Sequence, residues 1–441
     1  MKTVIPINKK LFDIYILFTR DPFVQYFTKE LEFYSNKEGG LLGLISLDLT
    51  DNDYYACILS RDKSKQYRSE LVESSLKTIE EARAWIDENM DNNSISFHDN
   101  NHNFFDLFQD LSNEHKQHPN YKLLNSSIAL SMAKECIEEI SYHYKDIDGN
   151  FIDQFQTMNG FDSRVWELFL FCFFREQFFS FERNFNAPDY MIKKFNQEIA
   201  IEAVIVSRKT SMNNEPKEPK EIKKELENAT PLLFGSALFD KMKKEYWKKE
   251  HVKGKPFLIA IADFHDTMSM TWSFNALSDY LYGYTYDYSF DANGELIINP
   301  IEIGNYTKPN GQEIPSGFFF QPNSDNVSAI IFSSHGTLSK FNRMGRQAGL
   351  GSNIPTLIRI GEFYDHTPNA VKPNFIKYTV DENSNETWSE GVIVFHNPNA
   401  KIPLDPKYFD DKVAQFFFRD NFLYSKIPKC FPYCSTTINL R

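Results

Sequence analysis

The chain has 441 residues, of which 41% are hydrophobic and 24% are charged, a composition that excludes collagen-like and wholly disordered proteins. Its 48 Lys and Arg residues stand against 60 Asp and Glu residues, and the resulting net charge of -12 confines any polyanion site to a local basic surface. Five scattered cysteines favour a reducing compartment, and no apolar stretch has the length of a signal-peptide core or a membrane span. We therefore expect a cytoplasmic protein without a membrane partner.

Residues 1–110 are predicted to form a small α+β accessory module. The segments GLLGLISLDL and DYYACILSRD alternate as paired strands do, and KTIEEARAWIDENM has an apolar stripe at helical spacing. An amphipathic helix is expected next, between residues 120 and 145.

The segment from residue 162 to residue 263 has the element order αβββαβ. It comprises a helix (DSRVWELFLFCFFREQ), three strands (FFSFERNF, APDYMIKKF, EIAIEAVIV), a charged insert, a helix (GSALFDKMKKEYWKKE) and a fourth strand (KPFLIAIADF). Strands joined by a crossover helix predict a mixed sheet flanked by helices, so the fold class is α/β. We assign this core to residues 120–265. Residues 266–441 are a C-terminal α/β extension that could be continuous with the core, and DPKYFDDKVAQFFFRD is its predicted closing helix.

Three acidic residues on consecutive elements of the core lie in apolar surroundings. Glu202 interrupts a strand that is otherwise apolar on both faces, Asp189 begins the preceding strand, and Glu167 lies on the apolar upstream helix. A buried glutamate needs a paired group or a cation, and oxygen ligands of this kind suit Mg²⁺. The alternative is a structural buried pair without metal.

The order of helix glutamate, Pro188-Asp189 and strand glutamate resembles the core of the PD-(D/E)XK nuclease superfamily, over about 100 residues of the chain. The resemblance implies a restriction-endonuclease-like fold in which Asp189 and Glu202 bind Mg²⁺ or Mn²⁺ and Glu167 is an auxiliary ligand. It also implies a metal-dependent endonuclease that hydrolyses DNA, with bacterial restriction or phage defence as the setting.

The sequence departs from the family pattern at the lysine. Its usual position, two residues after the strand acid, is Val204. Some superfamily members carry the lysine on the following helix, where this chain has Lys241 as our first choice and Lys243 as the second. Lys209, just past the strand, is a third option. An ordinary solvated helix face is the alternative interpretation of the helix lysines.

Two regions are candidates for phosphate contacts. Residues 208–255, which include Lys209, contain 13 basic and 8 acidic residues. In SSHGTLSKFNRMGRQAGLG, the basic residues Lys340, Arg343 and Arg346 follow a strand end and a Ser/Gly turn, although a simple loop-to-helix junction explains that stretch as well.

Two other classes of function stay open. One is a nuclease-like module that binds nucleic acid or a protein without cutting, and the other is an assembly subunit with internally paired acids. Besides DNA, a second copy of the chain or a defence-system protein is an expected partner.

Overall fold

The computed structural model describes residues 4–37, 39–90, 105–109, 116–182, 184–207 and 218–440. Within these ranges, none of the helices combines the length and the apolar character that crossing a membrane requires.

The N-terminal unit is an antiparallel five-stranded sheet with two helices. Its strands lie in the order β1 to β5, and Thr78 caps the second helix by accepting a hydrogen bond from the Glu81 N–H. The elements are β1 (Val4–Pro6), α1 (Lys9–Ile16), β2 (Thr28–Asn36), β3 (Leu41–Asp48), β4 (Tyr54–Arg61), β5 (Tyr67–Leu76) and α2 (Ile79–Asn89).

The middle of the chain has the predicted order αβββαβ with one addition, a helix at residues 219–227 within the charged insert. Its elements are α3 (Pro119–Ser126), α4 (Ser131–Ser141), α5 (Phe151–Gln156), α6 (Phe161–Glu176), β6 (Ser180–Glu182), β7 (Tyr190–Lys194), β8 (Gln197–Val206), α7 (Pro219–Glu227), α8 (Ala229–Met242) and β9 (Phe257–Asp263). The C-terminal elements are α9 (Phe274–Tyr282), β10 (Tyr284–Phe290), β11 (Leu296–Glu302), β12 (Asn305–Thr307), β13 (Glu313–Pro315), β14 (Ala329–Ser333), α10 (Leu338–Ala348), β15 (Thr356–Phe363), β16 (Asn374–Val380), β17 (Val392–His396), β18 (Ala414–Arg419), β19 (Phe422–Lys426) and β20 (Pro432–Leu440).

One mixed sheet runs through the core and the C-terminal region. Its eight strands have the order β19-β18-β17-β14-β9-β8-β7-β6, in which β8, β9 and β14 are parallel neighbours. The expected α/β class with a mixed sheet is therefore confirmed. A three-stranded sheet, β16-β15-β20, and two hairpins complete the C-terminal region.

Strand β8 has helices on both sides, which explains why it is apolar on both faces. Ile199, Ile201 and Ala203 belong to the core that includes α6, whereas Ala200 and Val206 belong to the core that includes α8. Because side chains alternate along a strand, Glu202 lies on the α8 side.

The predicted closing helix is wrong. Residues 406–408 form a single 3-10 turn, and the following residues form β18, which pairs with β17 in parallel and with β19 in an antiparallel arrangement. The apolar run at residues 416–418 has no helical period, and pairing within the large sheet satisfies its backbone.

Candidate metal centre

Glu202 is buried in the middle of β8 and is held by two donors from one side. Lys241 Nζ and the Tyr246 hydroxyl each donate a 2.6 Å hydrogen bond to the same carboxylate oxygen, Oε1. Lys241 lies in the last turn of α8, and Tyr246 follows shortly after that helix ends. Glu202 lies on the face of β8 that α8 covers, and the last turn of α8 brings Lys241 into contact with it.

The second carboxylate oxygen of Glu202 has a different environment from the first. Glu202 Oε2 is buried and has no hydrogen-bond partner among the described residues. A buried carboxylate oxygen without a donor is costly, and a cation ligand is one of the few arrangements that compensates it. Glu202 is thus fixed through one oxygen and open for coordination through the other.

Asp189 is positioned by the edge of the same strand. The β7–β8 pairing reaches Tyr190 opposite Ile201, and one step further the Asp189 carboxylate accepts a 2.7 Å hydrogen bond from the Ala203 N–H. The Asp189 carboxylate thus accepts the backbone hydrogen bond that a further residue of β7 would otherwise accept. Asp189 and Glu202 consequently lie side by side at the point where the β7 ladder ends.

Charge crowding acts on Asp189. Burial raises the pKa of its carboxyl group well above the ordinary value, and the nearby carboxylates of Glu167 and Glu202 raise it further. The Ala203 N–H and the Lys241 ammonium act in the opposite direction but do not cancel this effect. Three negative groups close enough to repel one another are an arrangement that a divalent cation would stabilise.

Glu167, the third predicted acid, is already ion-paired. Arg164, one turn earlier on α6, reaches both carboxylate oxygens at 2.9 and 2.8 Å, and the Tyr144 hydroxyl donates to one of them at 3.1 Å. Burial lowers the pKa of Arg164, but the charge and hydrogen bond of Glu167, together with Tyr144 and Asp189, outweigh this and the net shift is upward. Glu167 therefore joins the centre as a neutralised carboxylate.

The residues present fit a divalent cation at Asp189 and Glu202. Mg²⁺ is usually bound through one or two carboxylates with waters completing its shell, so these two acids suffice. A tighter acidic group also occurs: in the part of the chain that the structure describes, only Asp48, Asp51 and Asp53 bring three ligand atoms within 4.8 Å of one another. That group lies on the surface beyond β3, where exposed acids are common without a metal.

The structure distinguishes between Lys241 and Lys243, the two helix lysines that the sequence offers as catalytic candidates. Lys241 contacts Glu202, whereas Lys243 is 74% exposed and binds Asp240 at 2.9 Å. The prediction that Lys243 is a catalytic alternative is therefore corrected, because its side chain points into solvent. Lys209 lies outside the described residues.

The prediction that α10 offers cations to phosphate is also wrong. Lys340 and Arg343 are buried and bind the carboxylate of Glu386, with Lys340 Nζ at 2.7 Å from Oε1 and Arg343 Nε at 2.7 Å from Oε2. Arg346 is 9% exposed and donates to Asn353 and to the carbonyl oxygen of Pro355. Lys340 and Arg343 are internal ion-pair partners and Arg346 is bonded to neutral groups, so none of the three is presented to a nucleic acid.

Two residues of the centre escaped the sequence analysis. The spacing of Arg164 and Glu167 is the i, i+3 separation of a helical ion pair and could have revealed the first. The second is Tyr246. In the sequence it has the position of an apolar residue on the buried face of α8, and its hydroxyl reaches Glu202 only because the chain reverses after that helix.

Comparisons with protein-family models, with curated proteins and with solved structures give no match for this chain.

Proposed function

We propose that this protein is a Mg²⁺- or Mn²⁺-dependent endonuclease that hydrolyses phosphodiester bonds of DNA. The observation that carries the proposal is the state of Glu202, one oxygen of which is held by Lys241 and Tyr246 while the other is buried without a donor. Asp189 lies beside it with a strongly raised pKa. This arrangement, together with the element order α6-β6-β7-β8-α7-α8-β9, supports the resemblance to PD-(D/E)XK nucleases.

Each residue of the centre has a role that follows from its contacts. When bound, a divalent cation polarises a phosphoryl oxygen and lowers the pKa of a coordinated water. Asp189 and Glu202 would hold the ion, and the Ala203 N–H and the Tyr246 hydroxyl keep the two carboxylates in place. The Lys241 ammonium supplies a fixed positive charge where negative charge develops on the phosphate.

The proposal also includes DNA as the substrate and a biological setting for the enzyme. The segment 208–255 carries 13 basic and 8 acidic residues within a chain of net charge -12, and its described part, residues 218–255, includes α8 with Lys241. Phosphate contacts supply most non-specific affinity for nucleic acid. A cytoplasmic enzyme of restriction or phage defence, acting as a homodimer or with a partner protein, is the setting we propose.

Cleavage assays with matched variants test the proposal. Plasmid, linear and single-stranded DNA are incubated with Mg²⁺, Mn²⁺ or EDTA, and we expect cleavage only with a metal. Glu202→Gln should lower the rate about 10²–10³-fold, the scale of one lost transition-state contact. The control is Glu198→Gln, which lies on the same strand but binds Lys255.

Two outcomes contradict the proposal. Cleavage that persists in Glu202→Gln and Asp189→Asn would place the activity elsewhere. DNA binding without cleavage under any metal condition would instead favour the nuclease-like binding module.

A further inference from the structure

A second functional candidate is a cavity of about 540 Å³ between the N-terminal unit and the large sheet region. One wall comes from α1 and residues 20–30, and the other from the end of α6 and residues 385–388. Small-molecule sites usually measure about 300–1,000 Å³. The cavity therefore has room for a molecule of nucleotide size.

The lining of this cavity is basic although the chain is acidic overall. Six basic side chains line it against four acidic ones. The basic residues are Lys9, Lys10, Arg20, Lys29, Arg175 and Lys412, and the acidic residues are Asp13, Glu30, Glu176 and Glu386.

The acids of the lining are already engaged. Asp13 and Glu30 both pair with Lys9 and Arg20, which leaves that group neutral. The Glu176 carboxylate accepts hydrogen bonds from the backbone of Trp388 and from Ser389.

Glu386, the fourth acid, binds Lys340 and Arg343 in the protein interior. Of the remaining bases, Lys412 interacts electrostatically with Glu176, whereas Lys10, Lys29 and Arg175 form no ion pair with an acid of the described lining.

Arg175 is the buried one among these bases, and Asp21 is the acid that acts on its charge. The Arg175 guanidinium donates to backbone carbonyl oxygens, including that of Leu17 at 2.8 Å and that of Arg20. Burial, together with the positive charge of Arg20, lowers its pKa to about 10. A cation in a medium of low dielectric constant, bonded to carbonyl dipoles only, favours an anion nearby.

The rest of the cavity wall is apolar. Ile14, Leu17 and Val24 line one side, and Phe178 and Met344 line the other. A purely inorganic anion would leave this surface uncovered, whereas a molecule with an apolar or aromatic body would bury it.

We propose that this cavity binds a small organic anion with several negative charges, of the class of nucleoside phosphates. The bases of the lining complement the phosphates and the apolar wall covers the nucleoside. The site is separate from the candidate metal centre, because none of the lining residues belongs to that centre.

Isothermal titration calorimetry in EDTA tests this proposal, since EDTA prevents phosphates from binding through a metal at Asp189 and Glu202. The probes are each of the common ribonucleoside triphosphates and inorganic triphosphate. We expect at least one nucleotide to bind more tightly than inorganic triphosphate. The exposed pair Lys29→Glu and Lys412→Glu, made together, should raise its Kd at least about tenfold.

Two further variants separate the possible causes. Val24→Trp fills the cavity without changing its charge and should also weaken binding, whereas Glu202→Gln should leave the Kd unchanged while it lowers the rate of DNA cleavage. The proposal is overturned if no nucleotide binds, if inorganic triphosphate binds as tightly as every nucleotide, or if neither cavity variant changes the Kd. None of these outcomes depends on whether the chain cuts DNA.

Discussion

Two buried charge clusters in this protein have opposite electrostatic states. In the cluster around Asp189, three acids face two bases, and one carboxylate oxygen of Glu202 lacks a donor among the described residues. In the cluster around Glu386, three bases face two acids, and both Glu386 oxygens are occupied. The acids of the first cluster are Glu167, Asp189 and Glu202 with the bases Arg164 and Lys241; the second contains Glu386, Glu390, Lys340, Arg343 and Arg359.

The pKa directions express the same difference. Burial and neighbouring acids raise the pKa of Asp189. Burial acts in the same sense on Glu386, but Arg343, Arg359 and Lys340 outweigh it and hold that pKa well below its usual range. A buried cluster with too few cations is suited to receiving one, whereas a cluster with enough cations stabilises the fold.

The largest effect is expected from a substitution in the cluster around Glu386. Glu386→Gln leaves the buried charges of Lys340 and Arg343 without their carboxylate partner, and we expect a loss of about 3–5 kcal/mol in the free energy of unfolding. Urea denaturation measures this loss. Glu382→Gln, at an exposed position nearby, is the control, and a loss below about 1 kcal/mol would mean that Glu386 does not compensate the cluster.

The next effect concerns the cation of the metal centre. Lys241→Met should lower the rate of DNA cleavage about 10²–10³-fold, because the fixed charge beside the reacting phosphate is lost. Lys243→Met is the matched control, since it removes an exposed lysine two positions away. Equal rates for the two variants would contradict the role of Lys241.

A third effect should have the opposite sign from that of Glu386. In EDTA, Asp189→Asn removes a carboxylate that its neighbours repel, and we expect the variant to gain about 1–3 kcal/mol of stability at neutral pH. Mg²⁺ should then stabilise the wild type and not the variant. Asp153→Asn, at an exposed position, is the control in both conditions.

The raised pKa of Asp189 also predicts how the stability of the protein changes with pH. The raised pKa means that the folded protein binds the Asp189 proton more tightly than the unfolded chain does. The contribution of Asp189 to stability therefore falls as pH rises from its ordinary value of 3.8 through the folded pKa, and Asp189→Asn should remove this part of the profile. An identical profile for wild type and variant would contradict the charge crowding.

The smallest effect concerns the hydroxyl that orients Glu202. Tyr246→Phe removes one of the two donors on Oε1 while Lys241 stays in place, so metal affinity should fall about tenfold, the lower end of the range for outer-shell partners. Titration with Mn²⁺ measures the change. Tyr424→Phe, which is exposed, should have no effect.

Much of the core could be predicted from the sequence. The apolar residues on both faces of β8 indicated a buried central strand, and period two placed Glu202 and Val204 on one face. Helical periodicity placed Lys241 and Lys243 beside the buried face of α8, and Lys241 is the one that contacts Glu202. The strand at residues 414–419 was missed because a short run of Phe residues has neither period clearly.

Local periodicity in the sequence was enough to predict the strands and helices of the core and the face of β8 on which Glu202 lies. The tertiary structure alone decided which charges meet. It turned Tyr246 toward Glu202, paired Arg164 with Glu167, and buried Lys340 and Arg343 against Glu386. The physical reason is that whether a charged side chain is solvated, paired or left open depends on residues far away in the chain, and only packing brings those residues together.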